Sequence, residues 1–315
     1  MAQMDLSIVG VVGAGLMGHG LALEFARAGY AVILQDESAA QRDSAPDRIR
    51  AAVSTLSKFD LVDANAAGPI IERVSIIADL DELAGEAHFV VEAVVEDLAV
   101  KQSVFARLDA ICGPGVVLAS NTSAFSPTDI ASATENPQRV LVTHYFNPPY
   151  LLPGVEIVPG KETAPESVET AVRLCRSIAK EPVVLRRETT GFVINRLQFA
   201  LFREAVSLVE DGIVSPQDLD RLVVAGMGNR LGVYGPFKIA DLAGLDVYES
   251  ICRSVFPFLN NSDGPQDSLS EMVDSGRFGA KTRRGVYEWS DDELAVVGEA
   301  LARHAAMMFP APSEG

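Results

Sequence analysis

Ile8-Val9-Gly10-Val11-Val12-Gly13-Ala14-Gly15-Leu16-Met17-Gly18 decides the fold of this chain. The apolar run from Leu6 to Val12 has the length and Val/Ile content of a buried strand, and it ends in glycines. Leu16 to Ala28 repeats apolar residues at helical spacing and stops at Gly29, a residue suited to closing a helix. Strand, glycine turn and helix in that order predict a phosphate-binding loop. Gly13 permits the tight turn, Gly15 lets a pyrophosphate approach the backbone, and Gly18 lets helix and strand pack closely. The helix N-terminus adds free N–H groups and partial positive charge. Ala14, Leu16 and Met17 complete the expected cofactor loop.

Tyr30 to Leu34 reads as the second strand, and Asp36 stands just beyond it. A carboxylate there can accept hydrogen bonds from both ribose hydroxyls of NAD and would repel the 2′-phosphate of NADP. Gln35 and Glu37 add no positive charge, so NAD is the expected cofactor. A glycine turn with no ligand is the bland alternative; the flanking strand, helix and Asp36 weigh against it.

Further strands are predicted at Val74–Ile77, Phe89–Val95, Val116–Ser120, Val140–Tyr145, Val155–Val158 and Val183–Leu185. Helices are predicted from Ser38, over Leu98–Ile111 with Asp97 as cap, and over Ala164–Ala179. Strands alternating with helices imply an α/β domain with a mainly parallel, doubly wound sheet. After about Arg187 only helical periodicity continues, over Phe192–Val209, from Ser215-Pro216, and over Pro236–Leu242 and Leu245–Val255. The expectation is a Rossmann-like domain over residues 1–187 and an all-α domain over 188–315.

The 315 residues are 48% apolar, enough for a substantial core, and carry a formal charge of −17. That charge predicts no general nucleic-acid or anionic-membrane surface. No apolar run approaches the roughly 20 residues of a membrane span. The N-terminus lacks a basic region before an apolar stretch and reads as a lead into the first strand. Cys112, Cys175 and Cys252 match neither a disulfide framework nor a zinc site, so no metal and a reducing, cytoplasmic setting are expected.

Of four histidines, His144 stands out. It ends a strand and precedes Asn147-Pro148-Pro149, and strand carboxyl ends are where open α/β sheets place their sites. Glu156 interrupts the otherwise apolar Gly154-Val155-Glu156-Ile157-Val158 and needs a partner if buried. If the two strands are adjacent, Glu156 can orient His144 as a general base. A satisfied buried histidine and a strand-end glutamate remain the alternative. His19, His88 and His304 read as a helix residue near the cofactor, a structural residue and a solvated one.

The segments VGAGLMGHGLA, VVEAVVEDLAVKQSVF, ASNTSAF, HYFNPPYLLPGVEIVPG, TTGFVINRL, GPFKIADLAGLD and FGAKTRRGVY together resemble the 3-hydroxyacyl-CoA dehydrogenase family, which includes gulonate dehydrogenase (lambda-crystallin) and carnitine dehydrogenase. The resemblance runs in order over nearly the whole chain. It implies that His144 is the general base and Glu156 its partner. It further implies that Ser123 and Asn195 hold the substrate oxygen, and that Glu96, Lys101 and Lys281 approach the cofactor. Donors placed where charge develops on that oxygen would stabilise the transition state. Read without the resemblance, Ser123 is a cap or turn residue, Asn195 a helix residue bonded to backbone, and Lys101 and Lys281 solvated charges. The family forms dimers through its helical domain, and Phe192, Val193, Leu197, Phe199, Leu201 and Phe202 offer apolar surface for a homodimer or for an internal core.

Three departures bear on the substrate. Pro153 stands where CoA-using members often carry lysine. The segment Gly228-Asn229-Arg230-Leu231-Gly232-Val233-Tyr234 before Gly235-Pro236 is longer than theirs and resembles gulonate-type members. The helix after Ser38 is not rich in lysine. Arg230 is expected to hold a substrate carboxylate through its planar fork, with a solvated arginine as the alternative. A small free β-hydroxy acid is favoured as substrate, with a short 3-hydroxyacyl-CoA second. A catalytically inert nucleotide-binding protein of crystallin type is the non-enzyme reading.

Overall fold

The computed structural model describes residues 6–309, so the N-terminal lead up to Asp5 lies outside the described residues. Eight strands, β1 (Ile8–Val12), β2 (Ala31–Gln35), β3 (Val74–Ile77), β4 (Phe89–Glu92), β5 (Val117–Ser120), β6 (Val140–Tyr145), β7 (Gly154–Pro159) and β8 (Glu181–Val184), form one sheet in the order β3-β2-β1-β4-β5-β6-β7-β8. All neighbours are parallel except β6 and β7. The connection from Phe146 to Pro153 is too short for a parallel crossover, which needs a dozen or more residues, so β7 must return antiparallel.

Helices cover both faces: α1 (Gly18–Arg27), α2 (Ala39–Ser57), α3 (Ala67–Glu72), α4 (Leu80–Glu86), α5 (Leu98–Ile111), α6 (Pro127–Ala131) and α7 (Pro165–Ser177). Alternate residues of one strand therefore feed different cores. Val9 and Val11 join Phe25, Ile49 and Leu174 on one side. Val12 joins Leu83, Phe105 and Ile130 on the other. This two-sided burial is why the strands read as unbroken apolar runs. Val94 and Val95, expected in the fourth strand, lie past its end at Glu92 in the loop toward α5.

The described residues fall into two compact units, one running to Val193 and resuming at Val296, the other Ile194–Ala295. The expected division at 187/188 falls short of this, and the final stretch returns to the first unit, where Ala302 and Ala305 enter the core. Lys58 pairs with Glu299 at 2.7 Å, and Arg303 lies over the Phe59 ring. Phe192 is not surface: it is 1% exposed, has φ of 50°, and packs with Val142, Val158 and Leu185.

The second unit contains α8 (Ile194–Glu210), α9 (Pro216–Leu222), α10 (Asn229–Leu231), α11 (Pro236–Ala243), α12 (Leu245–Val255), α13 (Asp267–Asp274) and the start of α14 (Asp291–Met308). Ser215 caps α9 by accepting from Asp218 N–H. Val223–Gly228 widens into a π-helical turn immediately before α10, which carries Arg230. No residue of α8 to α13 is buried within this chain.

Candidate active site

The sheet changes direction of winding between β1 and β4, and the crevice at the carboxyl ends of open α/β strands is where such a switch binds ligands. A cavity of about 1000 Å³ lies there, lined by Gly13, Gly15, Asp36, Val94, Ser103 and others. Its size is within the range of roughly 300–1,000 Å³ typical of cofactor sites. Gly13 has φ of 96°, and a Cβ on it would lie 2.6 Å from the Ala93 carbonyl oxygen. A Cβ on Gly18 would lie 1.7 Å from the Gly13 oxygen, so neither position admits a side chain. Gly15 has nothing within 4 Å of a virtual Cβ. Packing does not require glycine there, and the open space leaves the backbone accessible to a pyrophosphate.

Asp36 fastens this loop. Its Oδ2 accepts from Ala14 N–H and its Oδ1 from Ser38 N–H, both at 2.8 Å. Each carboxylate oxygen carries two lone pairs, so ribose hydroxyls can still donate. Ala14 is buried, Leu16 is 67% exposed, and Met17 packs against the core at the start of α1. The loop, the cavity and Asp36 fit a dinucleotide. His19 Nδ1–H donates to the Gly15 carbonyl oxygen, 2.8 Å away; burial holds its pKa below the ordinary value.

Lys101 is not the solvated charge that its bare sequence context allows. It is 1% exposed, with its ammonium 2.8 Å from Glu92 and 3.1 Å from Glu96. Glu92 is fully buried and also accepts from the Ser120 hydroxyl and Val94 N–H. Glu96 Oε1 accepts from the Thr122 hydroxyl at 2.5 Å and from Ser123 and Ala124 N–H at 3.1 and 3.2 Å. Burial pushes the Glu96 carboxyl up, but the Thr122 hydroxyl, the Lys101 ammonium and the Ser123 N–H together hold it below the usual carboxylate value. Glu92 was absent from the sequence-based candidates. Its signal was present, since a glutamate ending the apolar Phe89-Val90-Val91 is the same anomaly that singled out Glu156.

His144 and Glu156 are directly opposed in the antiparallel β6–β7 pair, so their side chains share a face. Nδ1 of His144 lies 2.8 Å from Oε2 of Glu156, and both residues are buried. Glu156 Oε1 accepts from Val193 N–H at 2.8 Å. With Glu156 ionised, the carboxylate can only accept, so Nδ1–H donates to it, and in the neutral imidazole Nε2 then presents a lone pair. The rings of Phe146 and Phe192 flank the imidazole, 5.1 and 5.6 Å away. The Ser123 loop is tied to the same strand end, since Asn121 Oδ1 accepts from Tyr145 N–H at 2.9 Å. The first unit thus brings together the glycine loop, Asp36, Glu96, the Ser123 loop and the His144–Glu156 pair.

Three candidates belong to the second unit. Asn195 is half-buried in the first turn of α8, two positions along the chain from Val193. Lys281 is exposed in the 3₁₀ turn Ala280–Thr282, and Arg230 is exposed in α10.

Two family models match the chain: "3-hydroxyacyl-CoA dehydrogenase, NAD binding domain" over residues 8–189, and "3-hydroxyacyl-CoA dehydrogenase, C-terminal domain" over residues 191–289. The chain is 32% identical to 5-formyl-3-hydroxy-2-methylpyridine 4-carboxylate 5-dehydrogenase of Mesorhizobium japonicum, covering 94% of each chain. It is 37% identical to 3-hydroxybutyryl-CoA dehydrogenase of Mycobacterium tuberculosis, covering 89% of this chain and 98% of that one. A solved structure of the pyridine carboxylate 5-dehydrogenase, described as an NAD+ dependent dismutase, superposes with a TM-score of 0.90. It is 31% identical and covers 98% of this chain and 100% of that one.

Proposed function

Since the chain belongs to the 3-hydroxyacyl-CoA dehydrogenase family, and is an NAD-dependent oxidoreductase acting on CH–OH groups, we propose that it oxidises the 3-hydroxy group of a small free β-hydroxy acid with His144 and Glu156 as its general base pair. The observation that carries the reading is the opposed placement of these residues, with Glu156 held on one side by His144 and on the other by Val193 N–H. Nε2 of His144 takes the alcohol proton, and Glu156 stabilises the imidazolium that results. Ser123 and Asn195 donate to the oxygen as negative charge builds on it. The glycine loop and Asp36 would hold NAD, whose nicotinamide would supply the hydride acceptor for the alcohol carbon. Glu96 and Lys101 act from beneath by holding the Ser123 loop, and Lys281 approaches the cofactor.

For the substrate, Arg230 is the cation that holds a free carboxylate, and the close superposition on a carboxylate-acting dehydrogenase supports that class. The second reading is a short 3-hydroxyacyl-CoA thioester, which the 37% identity to a 3-hydroxybutyryl-CoA dehydrogenase favours. The three thiols are free, in keeping with a reducing cytoplasmic setting. A homodimer through the second unit would cover side chains such as Phe237 and Phe258, which are 90% and 86% exposed.

The experiment is NAD reduction against 3-hydroxybutyrate, gulonate, carnitine and 3-hydroxybutyryl-CoA, with His144→Ala as control. Turnover of a free acid that the variant loses supports the proposal, whereas turnover of the thioester alone moves the protein to the second reading. Cofactor binding with no His144-dependent turnover of any substrate would favour an inert, crystallin-type role.

A further inference from the structure

A buried cation lies beneath the chain reversal that follows His144. Lys180, at the turn between α7 and β8, is 7% exposed. Its ammonium donates to the carbonyl oxygens of Pro149 at 2.6 Å and Leu152 at 3.2 Å. It also lies 2.5 Å from Oε2 of Glu24, which is 1% exposed on α1. The other oxygen of Glu24 meets Arg27 at 2.8 Å. Among the described residues the two Glu24 oxygens are held by these cations as ion pairs, not by aligned hydrogen bonds. An ammonium has three N–H groups, and three oxygens surround this one.

The elements so joined are the two halves of the candidate site. α1 begins at the glycine loop. Residues 146–153 reverse β6 into β7 and thereby set His144 opposite Glu156. The two also touch directly, because a Cβ on Gly20 of α1 would lie 2.7 Å from Cγ of Pro149. Glu181 N–H donates to the Pro153 oxygen at 2.8 Å and pins the far end of the reversal. A buried ion pair is a weak source of stability compared with apolar side chains of similar volume. Its value here is directional, since the ammonium fixes two backbone carbonyls of the reversal relative to the cofactor helix.

We propose that Lys180 and Glu24 are positioning residues for the His144–Glu156 pair, tying the cofactor helix to the reversal between the strands that carry it. The proposal rests on His144 being the base. Loss of the tie frees the Pro149 and Leu152 carbonyls, and the hairpin no longer presents Nε2 of His144 in one place. A displacement of about 1 Å is enough to cost on the order of 100-fold in rate.

A single substitution leaves a buried charge without its partner and lowers stability, which confounds activity with folding. The decisive variant is therefore Glu24→Leu/Lys180→Met, which removes both charges and keeps apolar volume. Its Tm is expected within a few degrees of wild type, with kcat for NAD reduction lower by about 10- to 100-fold and KM for NAD and alcohol within about threefold. Long-range 1H–15N spectra of the histidines give a readout independent of substrate. His144, assigned by its loss in His144→Ala, is expected to shift from one Nδ1-protonated tautomer toward a mixture. Lys180→Met alone, measured below its own Tm, should show the same loss of kcat, and Lys180→Arg should restore most of it. Wild-type kcat and an unchanged His144 signal in any folded variant lacking the Lys180 cation overturn the proposal and leave the pair a purely structural one. If His144→Ala itself keeps turnover, the base assignment falls and the proposal falls with it. If only the Lys180 variants behave as wild type while His144→Ala is inactive, the proposal alone fails.

Discussion

Glu156 meets His144 through one carboxylate oxygen and the backbone N–H of Val193 through the other, so a single buried side chain holds both the imidazole and the segment that ends the first unit. Substituting either partner should act on turnover more than on binding. His144→Ala is expected to lower kcat by about 10²–10⁴-fold, the usual contribution of a general base. Glu156→Gln keeps the shape but can present an N–H toward Nδ1 and favour the wrong tautomer. It should lower kcat by at least about tenfold while leaving the affinity for NAD, read by fluorescence quenching, within about threefold. An equal loss of NAD affinity in Glu156→Gln would show that the glutamate supports the fold of the cofactor site instead.

Asp36 carries the choice between cofactors. Its carboxylate closes on Ala14 N–H and stands where the ribose hydroxyls of NAD are expected. Asp36→Ser should weaken NAD by about 10- to 100-fold in kcat/KM, the equivalent of roughly 1.5–3 kcal/mol for a hydrogen bond to a charged group. The same change should raise kcat/KM for NADP, because the repulsion of the 2′-phosphate is gone and Arg42 lies close by, bonded to the carbonyls of Asp36 and Glu37. Unchanged preference in parallel initial-rate assays would remove Asp36 from the cofactor site.

The Glu92–Lys101–Glu96 cluster predicts a pH-dependent stability. Glu96 has a folded pKa held below its ordinary value of 4.5, so the stabilisation is present above that value and is lost as pH falls through the lower, folded one. Glu96→Gln should therefore be less stable than wild type at neutral pH, with the gap closing as acid protonates the wild-type carboxyl. Urea melts at a series of pH values read this directly. Lys101→Met is a separate case, because Glu92 then remains buried without its cation, at a cost of about 3–5 kcal/mol.

The glycine loop and the strand series were legible because both are local patterns, a run of apolar residues with period and a fixed spacing of glycines. Glu156 was legible as an ionisable group in an apolar strand. The tie at Lys180 was not, because Glu24, Pro149, Leu152 and Lys180 come from segments far apart in sequence and each is ordinary in its own neighbourhood. Phe192 was left open for a related reason. Its place in a helical-looking run allowed either a dimer surface or an internal core, and the structure, with a left-handed backbone there, puts it in the core beside His144. Lys101 resembled a solvated helix residue, and only the two carboxylates brought up by β4 and its loop make its burial tolerable.

The second unit makes its prediction through what it leaves uncovered. Phe199, Phe202, Phe237 and Phe258 are all more than two-fifths exposed on helices or turns that bury nothing within this chain. Surfaces of this kind mark an association site. Light scattering at micromolar concentration should give twice the chain mass, and the Tm should rise with protein concentration, as mass action requires of a dimer. Phe199→Asp should shift the mass toward the monomer and lower the Tm. A wild-type monomer with a concentration-independent Tm would rule out the dimer.

Arg230 gives the sharpest test of substrate class. It follows a π-helical turn, a feature that recurs at functional sites, and lies exposed in the short helix α10. A guanidinium pairs with a carboxylate through two parallel hydrogen bonds, an arrangement that methionine cannot replace. If Arg230 holds a free acid, Arg230→Met should raise KM for that acid by about 10- to 100-fold, which corresponds to the roughly 1.5–3 kcal/mol of a charged hydrogen bond. Turnover of a thioester lacking a free carboxylate should be affected far less. An unchanged KM for the free acid would exclude Arg230 from recognition. Arg230→Lys separates the two parts of the interaction: it keeps the charge but not the fork, so intermediate KM identifies bidentate pairing, and wild-type KM identifies simple charge attraction.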